Sequence, residues 1–213
     1  MVEEKKPGTL PLAGESIEVG KGGSEEAILV ERAAKGYRPA FDQLVARYQG
    51  AVYRMAFRFF ADPDDAMDAT QEVFLKAFRS LPAFEGRSSF KTWLYRIASN
   101  TCVSLSETRS RRQKSFLQAV VDWFTTPPAP DPSHVVSDRE DRTELQAEVQ
   151  RQIARLPEVY RVPVILRDIE GMSLEQVGEV LDIPLGTVKS RVNRGRRMLQ
   201  ESLESFYQRR KEG

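Results

Sequence analysis

The sequence contains very little of the chemistry that disulfides, metal sites and membrane spans require. Its 213 residues include one cysteine, Cys102, and one histidine, His134. One cysteine excludes an internal disulfide, and the two residues together are too few for a Cys/His zinc site. No run approaches the roughly 18 apolar residues of a membrane span, and the first residues lack the apolar core of a signal peptide. We therefore expect a cytoplasmic protein that is not inserted in a membrane and holds no cofactor.

The chain also lacks catalytic motifs and a large net charge. It has no phosphate-binding loop and no Ser-His-Asp arrangement, so we do not expect an enzyme. Its 32 basic and 31 acidic residues give a net charge of +1. The basic residues nevertheless gather in two places, 109–114 and 189–197. A neutral chain with two basic patches suits a nucleic-acid binder that presents an acidic surface to another partner.

The segment 84–114 combines aromatic, basic and amide side chains along one predicted helix. Ser88 or Ser89 can cap a helix that begins near Phe90. A stripe at helical spacing predicts its buried face, which comprises Phe90, Trp93, Leu94, Ile97, Ala98 and Leu105. A polar outer surface is predicted from the residues outside this stripe, which are Lys91, Tyr95, Arg96 and Asn100. The helix then continues into Arg109, Arg111, Arg112 and Lys114.

An aromatic ring beside cations is suited to unpaired nucleic acid. Bases stack on such rings with about 1 to 3 kcal/mol each, while the cations neutralise phosphates. The alternative is a solvated helix that carries one amphipathic tyrosine. Both interpretations fit the segment by itself.

Three helices are predicted before this segment. The first follows Ser24 and closes at Gly36, and the second begins past Pro39 and stops at 61–63. The third has a buried stripe formed by Ala66, Ala69, Val73, Phe74, Ala77 and Leu81. Residues 1–23 contain glycine and proline without an apolar period, so we expect a disordered leader.

The other side of the third helix is acidic. Asp64 and Asp65 lie in its first turn, where carboxylates complement the helix dipole and need no further explanation. The acidic side continues beyond that turn and includes an exposed leucine, through Asp68, Gln71, Glu72 and Leu75. An apolar spot with an acidic rim predicts docking to a basic protein surface.

A Pro-rich linker separates this part from a second helical region. Four prolines predict a semi-extended segment, namely Pro127, Pro128, Pro130 and Pro132. The apolar run 116–124 before them is either the end of the first core or a segment that binds a groove of a partner. Ser137 begins a capping box, and Pro157 suits the first turn of a later helix. Pro163 predicts either a kink in that helix or a later start.

The segment 171–199 predicts a helix-turn-helix. Ser173 and Gln176 fit a capping box, a short turn follows at 182–183, and Pro184 opens the second helix. The inner stripe of the second helix comprises Leu185, Val188, Val192 and Leu199. Its outward side is polar and basic, with Lys189, Ser190, Arg191, Asn193, Arg194, Arg196 and Arg197. The second helix of such a motif enters the major groove, which favours duplex DNA binding over a merely solvated helix.

These motifs resemble bacterial sigma factors. The stretches DDAMDATQEVFLKAF and FEGRSSFKTWLYRIASN resemble sigma region 2, and LPEVYRVPVILRDIEGMSLEQVGEVLDIPLGTVKSRVNRGRRML resembles region 4. The segment between them is too short for the middle domain of larger sigma factors, so the resemblance is to the extracytoplasmic-function (ECF) group. It implies an all-α fold of two small helical domains, 24–114 and 137–208, joined by a flexible linker at 115–136. A basic tail, 209–213, follows.

The resemblance also implies partners and binding residues. The third helix would bind the clamp helices of the largest subunit of core RNA polymerase, through Asp64, Asp65, Asp68, Gln71, Glu72 and Leu75. The next loop and helix would melt the minus-ten element of promoter DNA and hold a flipped base, with Phe84, Arg87, Tyr95, Arg96 and Asn100. Lys91, Arg109, Arg111 and Arg112 would add cations on that side. Region 4 would read the duplex minus-thirty-five element through Lys189, Ser190, Arg191, Asn193, Arg194 and Arg197. An anti-sigma factor is a further implied partner.

Two other functions remain open from the sequence. A stand-alone transcriptional regulator would share the helix-turn-helix but would bind duplex DNA without polymerase. An adaptor whose acidic helix is its whole purpose would tolerate the loss of Lys189 and Arg191. Promoter-directed transcription by the purified protein with core polymerase would separate these two functions from that of a sigma factor.

Overall fold

The computed structural model describes residues 25–121 and 138–212, which form helices joined by short turns. In chain order the α-helices are α1 (Glu25–Ala34), α2 (Arg38–Phe60), α3 (Pro63–Ser80), α4 (Phe90–Val121), α5 (Asp138–Arg155), α6 (Glu158–Val164), α7 (Leu174–Leu181) and α8 (Leu185–Glu212). A 3-10 turn, Leu81–Ala83, follows α3, and a π-helical turn, Ile165–Ile169, follows α6. The described residues contain no strand, so the all-α prediction is confirmed.

Local sequence signals set the helix ends in the first half. Ala61 takes a left-handed conformation with φ of 55° and ends α2. Oδ1 of Asp62 then accepts hydrogen bonds from the amides of Asp64 (3.0 Å) and Asp65 (2.9 Å), which caps α3. The side chain of Ser89 accepts a hydrogen bond from the Thr92 amide at 3.0 Å, so one of the two predicted caps of α4 is confirmed.

Helices α1 to α4 form the N-terminal domain around an apolar core. All six residues of the predicted stripe on α3 are buried, so that prediction is confirmed. On α4, Phe90, Leu94 and Ala98 are buried as predicted. Trp93 is only partly buried, because the loop before α4 leaves one side of its ring open.

Helices α5 to α8 form the C-terminal domain, which contains the helix-turn-helix of α7 and α8. The predicted capping box is confirmed, because the Ser173 hydroxyl accepts from the Gln176 amide (3.1 Å) and the Gln176 side chain accepts from the Ser173 amide (2.9 Å). Asp182, with φ of 54°, makes the turn between the two helices. Leu185 is 37% exposed, so its predicted place in the inner stripe is wrong. It is the first residue of α8.

Pro163 neither starts a helix nor ends one. It lies inside α6, and the helix widens into the π-helical turn immediately after it. Because proline has no amide hydrogen and crowds the preceding turn, a change of hydrogen-bond pattern is a common response. Of the two predicted alternatives, the structure therefore supports a local distortion of a continuous helix.

The two domains pack directly against each other. Helix α5 and the π-helical turn lie on α2, and α7 lies on α4. Their buried apolar side chains form one continuous cluster, which includes Phe59 and Leu94 of the first domain and Val162 and Ile165 of the second. The predicted leader, the Pro-rich linker and the caps at Ser24 and Ser137 lie outside the described residues.

Candidate functional site

The exposed side of α3 presents the predicted acidic face. Asp64, Asp68 and Gln71 are exposed, whereas Asp65 and Glu72 are partly buried. Oε1 of Glu72 is 3.6 Å from Nζ of Lys76 in the next turn of the helix. An exposed ion pair of this kind contributes little to stability. The six predicted residues thus share one side of a single helix.

An apolar groove adjoins this acidic face. Leu75 is 51% exposed and Phe78 is 47% exposed, which is unusual for large apolar side chains on a packed helix. A cavity of about 490 Å³ opens beside them, lined by Arg38, Phe41, Asp42, Gln71, Phe74, Leu75 and Phe78. Phe78 escaped the sequence analysis, although it lies three positions after Leu75 and therefore on the same side of the helix. The acidic face therefore has an apolar part larger than one leucine.

One predicted acidic residue is paired with one predicted basic residue. A carboxylate oxygen of Asp65 on α3 lies against the guanidinium of Arg109 on α4. The side chain of Asp65 is 28% exposed to solvent, and that of Arg109 is 60% exposed. The acidic side of α3 and the basic end of α4 therefore meet at this pair, which contributes little stability because it is largely open to water.

The loop before α4 brings together three of the residues predicted to bind a flipped base. Phe84, Arg87 and Arg96 line a small cavity of about 210 Å³ with Ala83, Glu85, Ser88 and Trp93. The rings of Phe84 and Trp93 are 5.0 Å apart, and those of Phe90 and Trp93 are 5.6 Å apart. Gly86, with φ of 69°, makes the turn that brings the loop back to the helix. Trp93 was assigned to the core from its spacing, and the structure adds it to the cavity wall.

Tyr95 is not on the outer surface, so that prediction is wrong. Only 1% of the residue is exposed, and its hydroxyl donates a 2.5 Å hydrogen bond to Glu170 of the C-terminal domain. Burial raises the pKa of the Tyr95 hydroxyl, and the hydrogen bond to Glu170 and its negative charge raise that pKa further. Tyr95 belongs to the buried face of α4, whereas Trp93 and Ile97 of the predicted stripe are only partly buried, so the predicted stripe was partly wrong.

The other described residues predicted for the polar side of α4 are exposed, but they differ in their contacts. Asn100 and Lys91 are exposed, and Nζ of Lys91 is 5.7 Å from the centre of the Tyr95 ring. Arg96 is exposed, and its guanidinium donates to the backbone carbonyl of Glu179 on α7. The side chains of Arg111 and Arg112 lie outside the described part of the structure.

Helix α8 carries its predicted polar and basic side chains outward. Lys189, Ser190, Asn193, Arg194 and Arg197 are exposed, and Arg191 is partly buried. The main contacts of α8 are with α5, α6 and α7 of its own domain, and the polar side chains of its first turns are mostly exposed.

Two side chains of α8 are held by its own domain. Nε of Arg196 donates to Asp168 at 2.9 Å, and this pairing raises the pKa of the guanidinium. The guanidinium of Arg194 lies 5.7 Å from the centre of the Tyr160 ring. Unlike Arg194 and Arg196, the basic side chain of Lys189 is therefore available to contact DNA.

Two other kinds of site were searched for within the described residues. No cluster of three or more histidine, cysteine, aspartate or glutamate side chains there is arranged to hold a metal ion. None of the described helices is both long enough and apolar enough to cross a membrane.

Comparison with known proteins places both halves of the chain in one family. Residues 44–113 match the family model Sigma-70 region 2, and residues 146–199 match Sigma-70, region 4. The RNA polymerase sigma-H factor of Pseudomonas aeruginosa is 38% identical over 184 residues, which cover 83% of this chain and 92% of the relative. The ECF RNA polymerase sigma factor SigW of Bacillus subtilis is 34% identical over 183 residues, 83% of this chain and 96% of the relative. The chain belongs to the ECF group of bacterial sigma factors.

Solved structures support the fold of this sigma factor across both domains. CnrH in complex with the cytosolic domain of CnrY is 28% identical, with a TM-score of 0.60 over 84% of this chain and 96% of that one. The sigma factor RpoE of Bartonella quintana, bound to the anti-sigma factor NepR, is 28% identical with a TM-score of 0.57, over 77% of this chain and 96% of that one. The present sigma factor is therefore a transcription initiation factor, and the stand-alone regulator is not supported.

Proposed function

We propose that this sigma factor divides initiation among three surfaces on two domains, 24–114 and 137–208. The acidic face of α3 binds core RNA polymerase, the loop and first turns of α4 hold an unpaired promoter base, and α8 reads duplex DNA upstream. The polymerase supplies the catalytic site, and the sigma factor supplies recognition. The protein acts in the cytoplasm, where promoter DNA and polymerase meet.

The cavity between the loop and α4 is the observation that carries the strand-opening role. It combines two aromatic rings, Phe84 and Trp93, with two exposed guanidinium groups, Arg87 and Arg96. Rings stabilise an unstacked base by stacking, and cations neutralise the adjoining phosphates. Extruding a base costs a few kcal/mol, so the site offsets that cost only for a base that fits.

Asn100 tests the strand-opening role, because it is exposed on the same helix and its amide can read the edge of a base. We expect Asn100→Ala to impair open-complex formation, measured by permanganate reactivity of the promoter, while core polymerase binding stays near normal. Gln49→Ala removes an exposed amide from α2 and is the matched control. If Asn100→Ala opens promoters like wild type, the assignment of this face is wrong.

The acidic face and its groove support the polymerase assignment. Exposed carboxylates around Leu75 and Phe78 provide both charge steering and apolar contact to a basic helical surface. We place the clamp helices of the largest polymerase subunit there. Asp68→Asn should weaken binding to core polymerase by about 1 kcal/mol, or roughly fivefold. Asp182→Asn, an exposed carboxylate in the turn before α8, should leave that binding unchanged.

An anti-sigma factor is a further proposed partner. A solved relative is bound to one, and its alignment covers 77% of this chain. Such an inhibitor would compete with polymerase or with promoter DNA for the surfaces described above. Adding core polymerase to a complex with a candidate inhibitor, and measuring release, tests this assignment.

A further inference from the structure

A groove between α1 and the loop before α4 takes no part in the three proposed surfaces. Its volume is about 630 Å³. One wall is formed by the segment 82–90, and the other is a single face of α1, because the residues that line it recur three and four positions apart. These residues of α1 are Glu26, Ala27, Val30, Glu31, Ala34 and Lys35. The groove thus runs along most of the length of α1.

The groove combines apolar side chains with a mildly acidic edge. Val30 and Phe90 line it as buried residues, and Phe84 lines it as a partly buried one. The charged groups in the lining are on Glu26, Glu31, Glu85 and Lys35. Two arginines outside the groove, Arg47 and Arg87, contact Glu26 and Glu85, so little net negative charge remains. An occupant would therefore be held mainly by apolar contact, with a small preference for a cation.

The leader, residues 1–23, contains a segment whose pattern matches this groove. In an extended chain alternate side chains face the same side, so Ile17, Val19 and Lys21 would share one face, with Glu18 on the other. The shared face offers two branched apolar side chains to the apolar lining and one cation to the acidic edge. The apolar and charged groups therefore correspond in kind on the two surfaces.

The length of this segment fits the groove as well. The steps from Ile17 to Lys21 extend about 13 Å at about 3.3 Å per residue. The steps from Glu26 to Lys35 rise about 13.5 Å along α1 at about 1.5 Å per residue. Glycines at 22–23 allow the chain to reverse direction just before α1 begins. A reversed chain runs antiparallel to α1, with Lys21 beside Glu26 and Ile17 towards Lys35.

The covalent connection to α1 makes modest contacts sufficient. A segment that is tethered close to its site has an effective concentration of about 1 mM. Two apolar side chains and one exposed ion pair, which by itself contributes little, then compete only with the undocked state of the same chain. No external partner is required.

We propose that Ile17–Lys21 docks in this groove, antiparallel to α1, and thereby holds the loop that carries Phe84 and Arg87. Phe84 lines both the groove and the cavity assigned to an unpaired base, so a segment packed on one side of its ring restricts the loop that presents the other. The rest of the leader is not assigned to the groove. Docking is detected without DNA or polymerase, so the inference does not depend on the proposed function.

Labelling of a thiol in the groove tests the docking. Ala27→Cys places a thiol on the exposed part of the α1 wall, and Arg32→Cys places a control thiol on the same helix outside the groove. Cys102 is buried and does not compete. If about nine molecules in ten are docked, N-ethylmaleimide should label Ala27→Cys about tenfold more slowly in the full chain than after removal of residues 1–23. The rate for Arg32→Cys should be the same in both.

Substitutions in the leader identify the segment that covers the groove. In the Ala27→Cys background, Ile17→Ser combined with Val19→Ser should raise the labelling rate about tenfold, as removal of the leader does. Leu10→Ser combined with Leu12→Ser is the matched control, because it removes two apolar side chains from another part of the leader and should leave the rate unchanged. Circular dichroism checks that the helix content is equal in all variants.

Hydrogen exchange tests whether the docked segment holds the loop. The amides of residues 85–88 should exchange faster in the Ile17/Val19 variant than in wild type, because a loop with fewer packed contacts opens more often. The turn between α2 and α3, residues 61–62, does not line the groove and should exchange equally in both proteins.

Four results overturn the inference. Equal labelling of wild type and the Ile17/Val19 variant would mean that this segment does not cover the groove. A larger rise in the Leu10/Leu12 variant would mean that another part of the leader fills it. Protection that increases with protein concentration would mean that a second copy of the chain occupies it. Unchanged exchange at 85–88 would mean that the segment docks without holding the loop.

Discussion

The hydroxyl of Tyr95 on α4 donates a 2.5 Å hydrogen bond to Oε2 of Glu170, 75 positions later in the chain. It joins the helix that carries the proposed base-binding face to the domain that contains the helix-turn-helix. The two domains are thereby tied to each other through a buried side chain of α4. Substitutions at this contact should therefore change the stability of the protein.

Removing the Tyr95 hydroxyl should destabilise the protein. Tyr95→Phe keeps the buried ring but leaves Glu170 without its donor, and a hydrogen bond to a charged group contributes about 1.5 to 3 kcal/mol. We expect a loss near the lower figure, because Glu170 is partly exposed and water replaces the donor. Urea denaturation measures it, with Tyr53→Phe as the control because that ring stacks on Phe57 and is only partly buried. Equal losses of unfolding free energy in Tyr95→Phe and Tyr53→Phe would show that the hydrogen bond to Glu170 does not stabilise the protein.

Alkaline pH should destabilise the protein partly through Tyr95. Its pKa is raised above the ordinary value of 10.0, by burial first and then by the hydrogen bond to Glu170. The stabilisation by the Tyr95 hydroxyl is fully present below pH 10, because the hydroxyl is then neutral in both the folded and the unfolded protein. Above pH 10 the unfolded chain ionises while the folded protein holds its proton, so stability falls by up to about 1.4 kcal/mol per pH unit. In Tyr95→Phe the free energy of unfolding should fall less steeply above pH 10, and parallel curves would refute the prediction.

A methyl group at Gly195 should disrupt the packing of α8 against α6. A Cβ at this position would lie 2.6 Å from Cγ2 of Val164 and 3.4 Å from Cβ of Tyr160. We expect Gly195→Ala to destabilise the protein by about 1 to 3 kcal/mol in thermal or urea unfolding. Gly186→Ala is the matched control on the same helix, because a Cβ there meets no atom within 4 Å. That control should be neutral or slightly stabilising, since alanine favours a helix over glycine.

Cys102 should report unfolding. Burial raises the pKa of its thiol to about 12, so at pH 8 only about one molecule in ten thousand carries the reactive thiolate. We expect no reaction with a disulfide reagent in the native protein and one equivalent after denaturation. Ser104→Cys adds an exposed thiol two positions along the same helix, and this variant should react with one equivalent while native. Rapid labelling of wild type would show that α4 opens locally.

The basic side chains of α8 should differ in their effect on duplex DNA. Lys189 is exposed and contacts phosphate freely in the proposed complex, so Lys189→Ala should weaken binding across sequences. The dependence of affinity on salt should also fall by about one counterion. Arg196→Ala should change both quantities less, because Arg196 is already paired with Asp168. Fluorescence anisotropy at several salt concentrations measures both, and equal effects would contradict the geometry.

The candidate sites were partly readable from the sequence. The acidic residues of α3 were found because they lie outside a helical stripe, which is a local pattern. Trp93 and Phe78 were missed because each has an exposed side although it packs against neighbours, and spacing alone does not distinguish such residues from core. The docking of α7 on α4 left no local signal at all.

The sequence by itself determined the helices, their caps and the helix-turn-helix, because the interactions that fix them join residues three or four positions apart. Ser89, Asp62 and the Ser173–Gln176 pair act within one turn of their own helix. Only the tertiary structure decided that Tyr95 is covered and that Gln150 and Arg161 complete the end of α2. Those contacts join residues about 75 to 100 positions apart, and they depend on how two finished domains fit together.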